Sequence, residues 1–140
     1  MTVLRTTAGY EADMEALVEG FPDEVSLIDA LTDELEGRGD VLEMLTYRTP
    51  KWVSDLSAPF EVKEYRDAWK KDLCIYILKM FDEEGHRLNL RVFVGHDVKK
   101  DVLFLLSCQP RATSYAQDSD AHRELCQRYE QLSIPPAWRR

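Results

Sequence analysis

Three apolar segments in the second half of the chain place the strongest limit on its fold. They read LCIYILKMF at 73–81, RLNLRVFVG at 87–95 and VLFLLSC at 102–108. Each has the length of a strand, and the polar segments between them are too short to hold a crossover helix. Consecutive strands joined by short turns pair in antiparallel fashion. The sequence therefore predicts a β-meander, with a charged turn between its last two strands.

Further periodic segments surround this meander. FEVKEY at 60–65 alternates with a period of two and predicts a fourth strand. Helical spacing of apolar residues predicts a helix over 10–19, a second from Pro22 to the glycines that begin at Gly37, and a C-terminal helix within 118–132. Helices that are segregated before and after an antiparallel sheet indicate an α+β protein. We therefore expect a single domain over 1–140, with two N-terminal helices, a meander of about four strands and a C-terminal helix.

Composition narrows the class of protein. The chain has 140 residues, of which 44% are hydrophobic and 31% charged, as in a globular domain. The absence of any apolar run of transmembrane length, and of an apolar core near the N-terminus, predicts a soluble cytoplasmic protein without a membrane partner. Three widely spaced cysteines and three histidines without ligand spacing predict neither a disulfide framework nor a metal site, and no cofactor motif is present.

Charge is distributed unevenly along the chain. The formal net charge is −8, yet residues 1–60 hold 13 acidic and 4 basic residues while residues 61–140 hold 13 acidic and 14 basic ones. The acidity therefore belongs to the N-terminal half, and the C-terminal half is able to present a local basic surface. A field from the whole protein that attracts nucleic acid is not expected.

The segment HRLNLRVFVGHDVKKDVLFLLSCQPRATSY, followed by a short helix, resembles the RelE/ParE superfamily of toxins from bacterial type II toxin–antitoxin systems. The resemblance is clearest over 87–132, while 1–86 agree only in the order of elements. It implies an mRNA endoribonuclease (an mRNA interferase) that acts at the ribosome without a metal, through attack of a ribose 2′-hydroxyl on the adjacent phosphate. It also implies a cognate antitoxin as the protein partner.

The same resemblance implies four site residues. Arg91, which leads an apolar strand, and Arg111, which follows the next one, would stabilise the phosphorane, a task that suits the charged fork of arginine. Tyr115 would stack on a base or act as the acid. The base on the preceding strands would be Lys63 if 60–65 is the equivalent strand, and Lys79 if 73–81 is; we favour Lys63 because it alternates onto a polar face.

Each of these residues also has a structural interpretation. Arg91 and Arg111 are also compatible with surface arginines that each pair with a cross-strand acid. Tyr115 is also compatible with a residue that packs against the C-terminal helix, and Lys63 with an ordinary solvated strand residue. His96 is expected to be exposed in a turn. Two other functions remain open: a ParE-like inhibitor of DNA gyrase, and a catalytically inactive interaction protein on the same fold. Whether the chain is an enzyme therefore stays undecided by sequence.

Overall fold

A computed structural model describes residues 2–45, 51–53, 59–112 and 120–134, with only the backbone described for 51–53. It contains helices α1 to α5 and strands β1 to β6. In chain order these are β1 (Val3–Thr6), α1 (Ala8–Leu17), α2 (Pro22–Glu36), α3 (Gly39–Leu45), β2 (Lys51–Val53), β3 (Phe60–Glu64), α4 (Arg66–Trp69), β4 (Ile75–Met80), β5 (Leu90–Asp97), β6 (Val102–Pro110) and α5 (Asp120–Gln131).

The six strands form one sheet in the order β1-β6-β5-β4-β3-β2. The four strands from β3 to β6 are antiparallel neighbours, which confirms the predicted meander and the α+β class. The sheet is larger than this meander, because β1 pairs with β6 in parallel and β2 extends the opposite edge. The sequence gives little sign of β1, since only Leu4 of its four residues is buried.

The N-terminal helices form where the apolar spacing predicts them. Pro22 stands in the first turn of α2, where its missing N–H costs no hydrogen bond. Asp23 and Glu24 follow it, and their carboxylates suit the positive end of the helix dipole. The buried stripe of α2 includes Ile28 and Leu31, which have no solvent exposure. The helix is therefore held by burial of one stripe, and its acidic remainder faces outward.

The sheet has two faces of different character. Residues directly opposite each other on paired strands share a face, so Leu78, Val92 and Cys108 lie together on what we call the apolar face. Ile77, Phe93 and Ser107 lie together on the other, which we call the arginine face because Arg91 also belongs to it.

Helices α1 and α2 pack on the apolar face. Tyr10 of α1 is 3% exposed and lies close enough to Cys108 and to Asp29 of α2 for their charges to raise its pKa, after the larger effect of burial. Burial first, and then Asp13, Glu24 and Asp29, raise the pKa of the Cys108 thiol to about 12. The acidic helices therefore surround this face of β6, and Cys108 is a protonated core residue.

Helix α5 packs on the arginine face. A side chain at Gly95 of β5 would meet Tyr129 of α5 at 3.1 Å and Leu106 of β6 at 3.0 Å, so glycine leaves the room that the helix needs. Every residue of β5 is consequently buried. His96 is 5% exposed and its Nε2 lies 3.2 Å from Asp101 Oδ1, so the expectation of an exposed turn histidine is wrong.

Candidate functional site

Strand register brings three basic residues onto the arginine face. Lys63 of β3 lies opposite Ile77, and Ile77 lies opposite Phe93, which is two residues from Arg91 on the same face. Lys79 of β4 is two residues from Ile77 and shares that face too. Both lysines that the sequence offered as alternatives therefore stand on the face of Arg91, on adjacent strands about 5 Å apart.

These basic groups differ in exposure. Arg91 is 2% exposed and Lys79 8%, whereas Lys63 is half-buried. Both interpretations of Arg91 assumed an exposed side chain, and the structure instead makes it one of the largest buried side chains of the protein. A buried guanidinium loses its hydration, so it interacts with an anion more strongly than a surface arginine does.

Arg111 lies at the same end of the sheet. It follows β6 directly, and its backbone N–H donates to the carbonyl oxygen of Asn89 at 2.6 Å, one residue before β5 begins. The ladder pairs Arg91 with Gln109, so Arg91 and Arg111 lie two positions apart along this hairpin. Tyr115 falls outside the described residues.

A cavity of about 360 Å³ opens beside this face. Its lining consists of Lys63, Glu64 and Ile77 from the strands, and Tyr65, Arg66 and Asp67 from the segment that follows β3. It therefore places two basic and two acidic side chains at the edge of the arginine face.

A second group of polar side chains lies on β6 and its neighbours. The Arg128 guanidinium of α5 donates to both carboxylate oxygens of Asp13 of α1, at 2.6 and 3.0 Å, and Asp13 raises the pKa of Arg128. Ser107 Oγ donates to Asp13 Oδ2 at 2.8 Å, and Gln109 Nε2 donates to Ser107 Oγ at 3.0 Å. This network runs from α1 and α5 across β6 to Gln109, opposite Arg91.

The same network satisfies the backbone at a β-bulge. The register shifts after Phe93, so Leu106 is the extra residue of β6. Its carbonyl oxygen accepts from Arg128, the carbonyl oxygen of Leu105 accepts from the Thr7 hydroxyl, and the N–H of Cys108 donates to Asp13. Side chains here replace the strand partner that β6 lacks beyond the short β1.

A third polar group surrounds His122 of α5. Lys71 Nζ lies 3.3 Å from His122 Nε2, and an ammonium is able only to donate, so Nε2 accepts. The imidazole proton therefore stands on Nδ1 and is donated to the Tyr65 hydroxyl at 2.7 Å. Cys126 Sγ lies 3.7 Å from Nε2, and burial raises the pKa of its thiol more than nearby Lys71 lowers it. The ring is fixed as a neutral tautomer that fastens α5 to the end of β3.

Sequence reasoning missed Gln109, Ser107 and His122. Ser107 stands in the strand predicted over 102–108, Gln109 directly follows it, and His122 stands in the predicted C-terminal helix, and nothing in a linear pattern tells which of these polar residues meet. Helical spacing alone places His122 beside Cys126, but the contacts with Tyr65 and Lys71 join residues more than 50 positions apart.

The acidic residues of the N-terminal half are concentrated in its helices. Residues 8–45, which make up α1 to α3, contain 12 acidic residues and one basic residue. These helices surround the apolar face, whereas Lys63, Lys79 and Arg91 stand on the opposite side of the sheet. The side of the sheet with α1 to α3 is therefore strongly acidic, whereas the arginine face carries both signs, since Glu61 lies opposite Lys79.

No family model matches the chain, and neither the curated proteins nor the solved structures that were compared with it gave a match. In the parts of the chain that are described, no three or more His, Cys, Asp and Glu residues group as metal ligands. Over those same parts, none of the helices has the length and apolarity that crossing a membrane requires.

Proposed function

We propose that this protein is the toxin of a type II toxin–antitoxin system, a metal-independent mRNA endoribonuclease that binds RNA on its arginine face. One observation carries the proposal: the strand register gathers Lys63, Lys79 and Arg91 on one face of three adjacent strands. Burial of a charge costs free energy, so the buried cations Arg91 and Lys79 need an anionic or polar partner; Glu61, directly opposite Lys79, offers one, and a bound phosphate would offer another.

The position of the acidic helices is compatible with this assignment. A chain of net charge −8 repels nucleic acid as a whole, but a phosphodiester that approaches the arginine face meets Lys63 and Arg66 at the adjacent cavity, together with the acids Glu64 and Asp67. The acids of α1 to α3 lie beyond the sheet, where salt screens them over about 8 to 10 Å. Binding should therefore weaken steeply with added salt, because it depends on a few phosphate contacts.

The reaction requires a base, an acid and a group that stabilises the phosphorane. The ribose 2′-oxygen attacks the adjacent phosphorus, the bond from phosphorus to the 5′-oxygen breaks, and a 2′,3′-cyclic phosphate forms. Lys63, in its neutral form, would accept the 2′-hydroxyl proton, and the 5′-oxygen would take a proton from water or from Tyr115. Arg91 and Arg111 would stabilise the phosphorane, because a desolvated guanidinium binds two of its oxygens. RNA must displace the groups that now cover Arg91.

A second candidate function is favoured by one observation. Arg91 is 2% exposed, as a guanidinium that holds a scaffold together would be. On this hypothesis the protein is an inactive interaction module on the same fold, and growth of cells that express it does not depend on the guanidinium group of Arg91.

The test keeps the positive charge at position 91 and removes the guanidinium group that is able to bind two phosphate oxygens. The protein is expressed from an inducible promoter, growth is followed, and cleavage of a reporter mRNA is mapped by primer extension. We expect wild type to arrest growth and to cut the reporter, and Arg91→Lys to lose both while keeping its fold by circular dichroism. Arg5→Lys, an exposed position on β1, is the matched control and should behave as wild type.

Growth arrest and cleavage that persist in the Arg91→Ala/Arg111→Ala double variant would exclude the proposed mechanism. Arrest without any mRNA cleavage, together with inhibition of supercoiling by purified gyrase, would favour the ParE-like alternative. Harmless expression of a folded protein would favour the interaction module.

A further inference from the structure

Gln109 is the polar side chain directly opposite Arg91. The two residues form a cross-strand pair of β5 and β6, so their Cβ atoms lie about 4.5 to 5.5 Å apart on the same face. Gln109 is 9% exposed, and a buried amide needs its polar atoms placed. Either Nε2 or Oε1 of this amide is able to face Ser107, and the other atom then faces away from it.

The hydrogen-bond network fixes that orientation. The Asp13 carboxylate pairs with Arg128 and is able only to accept, so the Ser107 hydroxyl must donate its proton to Asp13. Ser107 Oγ is then left with lone pairs, and it accepts from Gln109 Nε2 at 3.0 Å. A flipped amide would place Gln109 Oε1 against an oxygen that has no proton left to give. Gln109 Oε1 is therefore turned away from Ser107.

We infer that Gln109 is a specificity-determining residue of the proposed RNA site, whose Oε1 accepts a hydrogen bond from the ribose 2′-hydroxyl next to the phosphate that Arg91 binds, in the bound state that precedes transfer of that proton to Lys63. This inference rests on the proposed function. In RNA the 2′-oxygen lies on the nucleotide whose 3′-phosphate is attacked, so a group beside the phosphate-binding arginine is placed to contact it. An acceptor there favours a ligand with a hydroxyl donor and gains nothing from deoxyribose.

The hydrogen-bond network that holds Gln109 includes residues from three elements. Arg128 comes from α5, Asp13 from α1 and Ser107 from β6, and each holds the next by a hydrogen bond of 3.0 Å or less. An amide fixed in this way loses little conformational freedom when it binds a hydroxyl. Preorganisation of this kind increases the difference in affinity between a ligand that has the hydroxyl and one that lacks it. Ser107 and Asp13 are positioning residues, since they act through Gln109.

The experiment compares RNA with DNA. Binding of a labelled single-stranded RNA and of the all-deoxy oligonucleotide with the same base order is measured by fluorescence anisotropy at low salt. Wild type is expected to prefer RNA, with about tenfold of that preference coming from one hydrogen bond. Gln109→Leu should lose this factor by weakening RNA binding alone, and Ser107→Ala should lose part of it, because the amide becomes free to rotate.

A double variant tests whether the two residues act as one unit. Gln109→Leu/Ser107→Ala should bind RNA no more weakly than Gln109→Leu alone, because Ser107 acts only through Gln109. Thr32→Val, which removes a buried hydroxyl from α2, is the matched control and should leave the RNA preference unchanged.

Three results would overturn the inference. Equal loss of RNA and DNA affinity in Gln109→Leu would mean that the residue only supports the fold, and full RNA preference in that variant would mean that it makes no contact. In both cases the proposed function survives if wild type binds and cleaves RNA. Wild type that binds neither oligonucleotide would remove both proposals together.

Discussion

The two faces of the sheet are both buried, but they are buried by different means. On the apolar face, Val92 and Leu78 belong to the same buried hydrophobic cluster as helical residues such as Ile28 and Leu31, and no polar partner is required. On the arginine face, Arg91 and Lys79 are nearly as inaccessible. Apolar burial stabilises a fold directly, whereas a buried polar group only avoids a penalty when it finds a partner. Ile77 and Phe93 of the arginine face are buried core residues as well, so both faces stabilise the fold, and the buried polar residues of the arginine face are where function is to be sought.

The largest effect is expected from a cavity beneath the apolar face. Leu31→Ala removes a side chain with no solvent exposure, and it should lower the free energy of unfolding by about 2 to 5 kcal/mol. Urea denaturation followed by circular dichroism measures this. Leu27→Ala, one turn away and only partly buried, is the control and should cost less. Equal losses would contradict the description of the α2 stripe.

A smaller but still substantial effect is expected where the arginine face is fastened to its helices. Arg128→Met keeps the apolar stem but leaves Asp13 without its bidentate partner and Leu106 without its donor. The pair is about one-fifth exposed, so we expect a loss of about 2 to 3 kcal/mol in urea denaturation. Arg123→Met, which removes an exposed pair with Asp120, should change stability by less than about 0.5 kcal/mol. A cost for Arg128→Met no larger than that of Arg123→Met would mean that the network is not structural.

The anchor of α5 should contribute less again. Tyr65→Phe removes one hydroxyl and leaves the Nδ1 proton of His122 without its acceptor, since Lys71 fixes the tautomer. The expected loss is about 1 to 2 kcal/mol by thermal denaturation. Tyr10→Phe, a buried tyrosine behind the apolar face, is the matched control and should cost less. A nitrogen-15 spectrum of the imidazole that shows the Nε2–H tautomer in wild type would contradict this explanation.

The smallest effect is expected on the outer acidic surface. Partial burial, and then Asp33, raise the pKa of Asp29 above its usual 3.8, so its charged form is disfavoured in the folded protein. Asp29→Asn should therefore stabilise at neutral pH, by less than about 0.5 kcal/mol because the group is largely solvated. The gain should vanish as the pH falls through the raised folded-state pKa, where the wild-type carboxyl becomes protonated.

Asp40 supplies a control of opposite sign for that titration. A hydrogen bond from Arg38 is the main cause that lowers its pKa, so its contribution is present at neutral pH and is lost as the pH falls below its usual range. Asp40→Asn should accordingly destabilise slightly at neutral pH and make no difference in acid. Denaturation curves of both variants across the acidic range measure the two signs.

Much of the fold followed from local patterns. The segments 60–65, 73–81, 87–95 and 102–108 became β3 to β6, and Pro22 and Gly37 bound α2, because period and turn chemistry act over a few residues. The strand β1 could not be foreseen in this way. It is only four residues long, and its pairing partner Val102 lies about a hundred positions from Val3.

The candidate site was predictable only in part. Arg91 and the choice between Lys63 and Lys79 came from the sequence, but the sequence set the two lysines against each other, and the register places both on one face. The functional roles of Arg91, Arg111, Tyr115 and Lys63 stay predictions. Gln109 carried no linear signal, since its significance comes from Ser107 beside it and Arg91 across the ladder.

The sequence by itself determined the α+β class, the meander and the acidity of the helical half, because these depend on composition and on periods of two and 3.6. Tertiary structure decided what the polar residues do. It buried Arg91, joined α1 to α5 through Asp13 and Arg128, and bound the amide of Gln109 to Ser107. Those outcomes depend on strand register and on the direction of hydrogen bonds between distant segments, and a slip of one residue in a strand would place its side chains, such as Arg91 or Gln109, on the other face.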